Sequence, residues 1–391
     1  MFCEDFYKRF YVDSQIVEKI EFNPYYKKVE SGLDEFIRME GRDIIDLASN
    51  NYLGLATDIR VKNAIISAVE KYGASLCGTP VSTGYIDLFM NLEKELSDFI
   101  GLEDTIILPS CYQANNGLFV SIAQKDDIIL VDRFAHSSLI QGAKAVGCKI
   151  RPFLHNDLEY LERLLKRTQN YKQVFVVTES VFSTDGTIAP LREINDLCRC
   201  YNAMPIIDDS HGIGVLGNEG KGILDEQNIY EFNGIYTASL GKAFANSGGI
   251  ICGKKEMIKH LRYYCPHLVY STSVTPSVLA GVKAVLEIIR NEFMTLKNKL
   301  HLYKNILYDS LVEAGFDVVY GTAPINSIKT GSREDTISAA KKLYENRILS
   351  TPFIEPSVPI NEGRIRFIAG INLTETSIEQ ASEIIKRINE K

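Results

Sequence analysis

The sequence predicts an α/β protein with a large, mainly parallel sheet followed by a smaller α+β unit. Three observations carry that prediction. Seven short apolar runs, rich in valine and isoleucine, do not alternate with polar residues, as in strands buried on both faces. Amphipathic segments at helical spacing lie between them, where crossover helices belong. Beyond residue 290 the pattern changes to one long helix and then to short, mixed strand and helix signals. The expected organisation is an N-terminal segment (1–45), a large domain (46–290) and a small C-terminal domain (291–391).

Taken in order, the first 45 residues hold an amphipathic helix and a short strand pair, expected to pack beside the C-terminal domain or on a partner subunit. The strand runs are TIILP (105–109), DIILVD (127–132), KIRPFL (149–154), QVFVVTES (173–180), MPIIDDS (204–210), GIYTAS (234–239) and GIICG (249–253). DLEYLERLLKRTQ (157–169) and LREINDLCRCYN (191–202) are two of the amphipathic connections. The segment 291–315 reads as a long helix stopped by Gly315. VVYG, SAAKKLYENR and RIRFIAG follow, then a helix to the end.

Composition narrows the function classes. Hydrophobic residues at 45% and charged residues at 24% suit a soluble globular protein, and no window is apolar enough for a membrane span. The opening MFCEDFYKRFYVD has no apolar signal core, so a cytoplasmic protein is expected. A net charge of −7 argues against nucleic acid as a partner, although a local cluster of donors still binds a small anion. Among the eight cysteines, Cys198 and Cys200 form a C-x-C with no second pair or histidine at ligand distance. No metal site is therefore expected, and the thiols are read as reduced and mostly buried.

In an open parallel sheet ligands bind beyond the carboxyl ends of the strands. There the sequence places its chemistry. QVFVVT runs into Glu179, Ser180, Ser183 and Asp185; MPII into Asp208, Asp209, Ser210 and His211; GIYTA into Ser239 and Lys242; DIILVD into His136. PSCYQANNG follows TIIL and opens a helix, so Ser110, Cys111 and Tyr112 sit where backbone N–H groups can receive phosphate. Each feature alone has a plain structural reading: Asp208 as a turn cap, Tyr112 as a core ring, His136 and His211 as satisfied side chains. Lys242 stands among small residues in TASLGKAFANSGGIICG, which leaves room for something other than protein. A lysine able to form an imine, an acid able to hold a pyridinium proton, a phosphate cradle and flat side chains are together what pyridoxal 5′-phosphate (PLP) needs.

With these residues in hand, the chain resembles the α-oxoamine synthases, fold-type I PLP-dependent enzymes. LASNNYLGL (47–55), YQANNG, DRFAHSSL, TESVFSTDGTIAPL (178–191), DDSHGIGVLG, SLGKAFANSGG, HLVYSTSVTP (267–276) and GRIRF (363–367) follow the family's order over roughly residues 44–370. The resemblance implies that Lys242 holds the cofactor as a Schiff base, Asp208 pairs with the pyridine nitrogen, His211 bonds the ring hydroxyl and His136 stacks on the ring. It implies phosphate contacts from Cys111, Tyr112 and Ser239, and a cofactor edge lined by Glu179 and Ser183. Asn50, Arg366 and Ser357 would bind substrate, the first two holding the amino acid's carboxylate. Ser271 and Thr272 would reach the phosphate of a neighbouring subunit, which implies a homodimer with shared sites. The implied reaction is decarboxylative condensation of a small amino acid with an acyl thioester (acyl-CoA or acyl-carrier protein) to an α-amino ketone.

HLVYSTS and FLHNDLEYLERLL look most like the 8-amino-7-oxononanoate synthase branch, which implies L-alanine and a pimeloyl thioester; the glycine C-acetyltransferase and serine palmitoyltransferase branches are the alternatives. Three stretches depart from the family pattern. AGINLTET replaces a segment like A-x-H-T, changing the wall near Ile371 and Asn372. GASLCGTPVSTGY (73–85) has Pro80 and no arginine, and Lys27 and Lys28 stand where N-terminal arginines often meet the acyl donor. A fold-type I aminotransferase would use the same lysine and aspartate, but His136 at the stacking position and HGIGVLG after the aspartate favour the synthase. A non-catalytic scaffold is disfavoured by the intact Lys242, Asp208, His211 and His136.

Overall fold

A computed structural model describes Phe6 and residues 19–389. The amphipathic helix expected near the N-terminus lies outside the described residues. The strand pair after it is present as β1 (Phe36–Met39) and β2 (Arg42–Asp46), joined antiparallel. The seven apolar runs form β3 (Asp104–Leu108), β4 (Ile128–Asp132), β5 (Lys149–Phe153), β6 (Val174–Glu179), β7 (Met204–Asp208), β8 (Ile235–Ser239) and β9 (Gly249–Gly253). They make one sheet in the order β3-β9-β8-β7-β6-β4-β5. Both faces are covered. Ile206 and Ile251 enter the core on one side while Ile207 and Ile250 enter the core on the other. Burial of both faces is why these runs carry no polar alternation.

β9 runs antiparallel to β8 and to β3, whereas β8, β7, β6, β4 and β5 pair in parallel. The cause is connection length. A parallel return needs a crossover of about a dozen residues or more, and only residues 240–248 separate β8 from β9. The chain therefore turns straight back, and Lys242 rides on that short turn at the carboxyl edge of the sheet. The turn lies against the helix Cys111–Ile122 so closely that a Cβ on Gly249 would fall 2.3 Å from the backbone N and Cα of Cys111.

The helix Pro276–Glu313 is a single 38-residue element that crosses the boundary expected at residue 290. Its first half packs Leu279, Val282 and Leu286 into the large-sheet core, and its second half sends Tyr303, Leu307 and Leu311 into a separate core. That second core is built on the antiparallel sheet of β10 (Val318–Val319), β11 (Asn326–Gly331), β13 (Thr351–Phe353) and β14 (Gly363–Phe367), in the order β10-β11-β14-β13. Between β11 and β13, β12 (Ile348–Leu349) pairs in parallel with β2, so the N-terminal strand pair lies beside the C-terminal part.

One buried acid shapes the loop that follows β7. Asp209 Oδ2 accepts the N–H of Ile223 at 2.9 Å and the phenol of Tyr236 at 2.8 Å. Glycines are required beside it, because a Cβ on Gly212 or Gly222 would lie 1.9 or 1.8 Å from its carboxylate oxygens. No cation pairs with Asp209 among the described residues, and burial pushes its carboxyl up to about 7. A group with a raised folded pKa binds its proton more tightly in the folded state. Its contribution is complete below the ordinary aspartate range and is lost as pH rises through about 7. Asp209→Asn should therefore flatten the fall in stability between about pH 4.5 and about pH 8, with at most about 4 kcal/mol at stake. Urea unfolding of both proteins at the two pH values measures this; equal slopes would show that Asp209 is ionised without cost.

Candidate functional site

The carboxyl edge of the large sheet gathers the polar residues read from the sequence. Asp208 is the last residue of β7, Glu179 of β6 and Ser239 of β8. Lys242 lies on the turn to β9, and His136 caps the helix Ser137–Val146 after β4. Cys111 and Tyr112 open the helix Cys111–Ile122, and their N–H groups have no acceptor within that helix. Its cap, Ser110, accepts the N–H of Gln113 at 3.1 Å. A cavity of about 290 Å³ lies among these ends, bounded by Cys111, Tyr112, His136, Glu179, Asp208 and Lys242. Somewhat larger hollows of about 390 and 370 Å³ lie elsewhere and gather no comparable set of side chains.

The Asp208 carboxylate, 4% exposed, takes a nitrogen donor on each oxygen. Asn115 Nδ2 donates to Oδ2 at 2.7 Å, and the Ser210 N–H donates to Oδ1 at 3.0 Å. The Cys111 thiol stands 3.9 Å from Oδ2 and 3.3 Å from the Ser210 hydroxyl, and burial raises its pKa so that it stays a thiol. Burial also lowers the pKa of Lys242, against the opposing pull of Asp208 and Glu179. The amine is thus held toward the neutral form in which a lysine is a nucleophile. Burial first, and Asp208 second, raise Glu179 well above the usual carboxylate range. Glu179 accepts the backbone N–H of His136 at 2.5 Å.

Both histidines are kept neutral. Burial lowers His136, and burial with the charges of Lys242 and Arg366 lowers His211 well below the ordinary imidazole value. Tyr52 lies with its hydroxyl 2.8 Å from His211 Nδ1. Burial raises the Tyr52 pKa, so the phenol keeps its proton in this contact. Tyr52 belongs to LASNNYLGL, far from DDSHG in the chain, and spacing gave no sign of the contact.

The two arginines of GRIRF share a face of β14, as strand alternation requires, yet their partners differ. Arg364 forms a buried ion pair with Asp185. Arg366, 5% exposed, donates to the carbonyl of Ser183 at 3.1 Å, approaches that of Ala48 at 3.5 Å and lies 5.2 Å over the Phe353 ring. Among the described residues no carboxylate pairs with it, and its Nε is buried without an acceptor. Asn50 Oδ1 is likewise buried and unpaired. A buried, uncompensated guanidinium is costly unless an anion arrives to meet it.

Other expected residues stand apart from the cavity. Ser183 contributes its carbonyl to Arg366 and does not line the hollow. Ser357 is exposed on the loop before β14. Ser271 and Thr272 lie outside it on a segment fastened by Ser273, whose N–H and hydroxyl bond the carbonyls of Gly78 and Gly84 at 2.9 and 2.8 Å. Lys27 is held between the rings of Phe22 and Tyr344 (4.8 and 4.4 Å) and pairs with Glu40 at 3.4 Å, while Lys28 pairs with Glu30 at 2.8 Å. In the changed wall, Asn372 donates to the Asp34 carbonyl at 2.8 Å and the Ile371 N–H to the Tyr52 carbonyl at 3.0 Å, so that segment fastens the N-terminal part to the loop carrying Tyr52. Among the described residues no group of acidic, histidine or cysteine side chains could hold a metal ion.

This set fits PLP. The cavity offers a lysine held toward neutrality, a buried carboxylate whose two oxygens are already oriented, and helix N–H groups for a phosphate. Asn115 was not singled out from the sequence, whereas Ser210 was read only as one of the polar residues at its strand exit. Asn115 stands four residues after Cys111, one helical turn along the same face, and that spacing was the available signal.

Comparison with known proteins agrees. The aminotransferase class I and II family matches residues 42–385. Over 381 residues the chain is 31% identical to 8-amino-7-oxononanoate synthase of Alkaliphilus metalliredigens, covering 96% of both chains. It is 32% identical over 369 residues to that of Thermosipho melanesiensis, covering 94% of both. Serine palmitoyltransferase from S. paucimobilis, solved with a bound PLP adduct of myriocin, shares the fold with a TM-score of 0.91 at 23% identity, covering 96% of both chains. The 8-amino-7-oxononanoate synthase of Francisella tularensis superposes with a TM-score of 0.75 at 28% identity, over 88% of this chain and 97% of its own. Cavity, fold and similarity converge: the chain belongs to the aminotransferase class I and II family and, within it, to the PLP-dependent α-oxoamine synthases, which are enzymes of the acyltransferase type.

Proposed function

We propose that the chain condenses a small amino acid, with L-alanine favoured, with an acyl thioester such as a pimeloyl thioester. The carboxylate leaves as carbon dioxide, the thiol is expelled, and an α-amino ketone remains. Support comes from similarity to 8-amino-7-oxononanoate synthases along nearly the whole chain. The single structural observation behind the reading is Arg366, a buried guanidinium without an anion, beside Asn50 with an unpaired acceptor.

PLP, when bound, supplies the electron sink that makes the amino acid's Cα proton removable. Lys242 would tether the cofactor, and its lowered pKa would let the free amine act as the base that takes that proton. Asp208, oriented by Asn115 and Ser210, would pair with the ring nitrogen and favour its protonated form. His211 would bond the ring hydroxyl, and His136 would stack on the ring. Arg366 grips the substrate carboxylate with a planar fork and must release it as carbon dioxide. Arg364 is spoken for by Asp185 and serves the architecture. Ser271 and Thr272, outside their own subunit's cavity, are assigned to the phosphate of a partner in a homodimer.

With cofactor added, the purified protein should release thiol from a pimeloyl thioester only when an amino acid is present, fastest with L-alanine when compared with glycine and L-serine. Thiol release with none of them, or amine transfer to a keto acid instead, would overturn the reading.

The carboxylate anchor separates the two arginines. Arg366→Lys should raise the amino acid's apparent dissociation constant by on the order of tenfold or more, read from the cofactor spectrum. Arg364→Lys should change it by less than about threefold and register in unfolding stability instead. The opposite ranking would move the anchor to Arg364.

Shared sites are tested by mixing two inactive variants. Lys242→Ala should lose both activity and the borohydride-trapped cofactor. Refolded together with a Ser271→Ala/Thr272→Ala double variant, it should regain up to about a quarter of wild-type activity, because one site of each mixed C2 dimer is intact. No regain would place Ser271 and Thr272 outside the partner's site.

A further inference from the structure

Two groups assigned to the cofactor, Asp208 and His136, are joined through a side chain in the cavity wall that is closed to outside solvent. Asn115 is fully buried and uses both ends of its amide. Its Nδ2 donates to Asp208 Oδ2 at 2.7 Å and to Ser138 Oγ at 2.9 Å, and its Oδ1 accepts the hydroxyl of Thr237 at 2.8 Å. The orientation of the amide is unambiguous, because a carboxylate only accepts and so must face the NH2 group. Ser138 Oγ in turn lies 2.8 Å from His136 Nδ1.

Proton directions along this chain follow from what each atom is able to do. Ser138 Oγ receives one N–H of Asn115, which leaves its own proton free for Nδ1. The backbone N–H of Ser138, an obligate donor, points at the same Nδ1 from 3.2 Å. Two donors converge on Nδ1, so that atom carries a lone pair and the single proton of the neutral ring sits on Nε2. We propose that Asn115 is a positioning residue that holds Asp208 and His136 in one hydrogen-bond chain, orienting the carboxylate and, through Ser138, keeping the His136 proton on Nε2. The cavity is thereby presented with a histidine of one fixed tautomer and a carboxylate of one fixed orientation, both set from the same buried amide.

The proposal rests on the reading that Asp208 and His136 serve the cofactor, but its test is independent of the substrate. Histidine side-chain 15N spectra of the full-length, PLP-loaded protein should show His136 neutral with its proton on Nε2, the signal being assigned by its loss in His136→Gln. A proton on Nδ1 would overturn the proposal. In Asn115→Ala the His136 signal should shift, although residue 115 does not touch the ring, and kcat should fall by about tenfold or more while KM for the amino acid moves less than about threefold. An unchanged His136 signal would show that no relay exists. Should Asn115→Ala fail to fold, Ser138→Ala breaks only the relay and must move the same signal; a stationary signal there overturns the proposal equally. Absence of thiol release alongside the expected tautomer would sink the synthase reading and leave this one standing.

Discussion

The Asp208 carboxylate is the constraint around which the rest of this structure is organised. It leaves the sheet at the end of β7, buried, and among the described residues no arginine or lysine forms an ion pair with it. A buried charge without hydrogen bonds is prohibitively costly. Its oxygens are satisfied by Asn115 from a neighbouring helix and by the Ser210 N–H of its own turn. Those donors fix the helix Cys111–Ile122 against the sheet edge, and the same helix start forms one wall of the cavity. A requirement of solvation thus becomes a requirement of geometry.

Lys242 answers the carboxylate from the turn that follows the neighbouring strand β8. The turn that carries it is short because β9 pairs directly beside β8, and a short turn leaves the side chain little freedom to leave the edge of the sheet. Burial weakens its proton affinity while Asp208 and Glu179 restore part of it. The balance leaves an amine that remains near the charges it must work with and is still able to act as a base. Neutral His136 and His211 add hydrogen-bonding shape without adding positive charge next to that lysine.

The small sheet contributes a different kind of constraint. Arg364 and Arg366 point to one face of β14, and both are held by the loop 180–189, through Asp185 and the Ser183 carbonyl respectively. One arginine locks the two parts of the protein together; the other is positioned by that lock while keeping its charge unmatched. The N-terminal residues reinforce the arrangement from the far side. Asn372 bonds Asp34, and the neighbouring Ile371 bonds the loop of Tyr52, whose hydroxyl reaches His211. Lys27, which stands where the family's N-terminal arginines often meet the acyl donor, is spent on Phe22, Tyr344 and Glu40.

The strands, the order of helices between them and the polar residues at their carboxyl ends were legible in the sequence by itself. They are local properties: a run buried on both faces must be apolar throughout, and its first polar residues mark where it leaves the core. The approximate placement of Lys242, Asp208, His136 and Glu179 followed from those exits. Tertiary structure alone decided which donors meet them. Asn115 is 93 residues from Asp208 and Tyr52 is 159 from His211, and no periodicity connects residues so far apart. It also decided between the arginines, because alternation sends both to one face and only the position of Asp185 tells them apart. Spacing along a chain sets which face a side chain takes, whereas hydrogen bonds and ion pairs depend on distances in space that only the folded chain fixes.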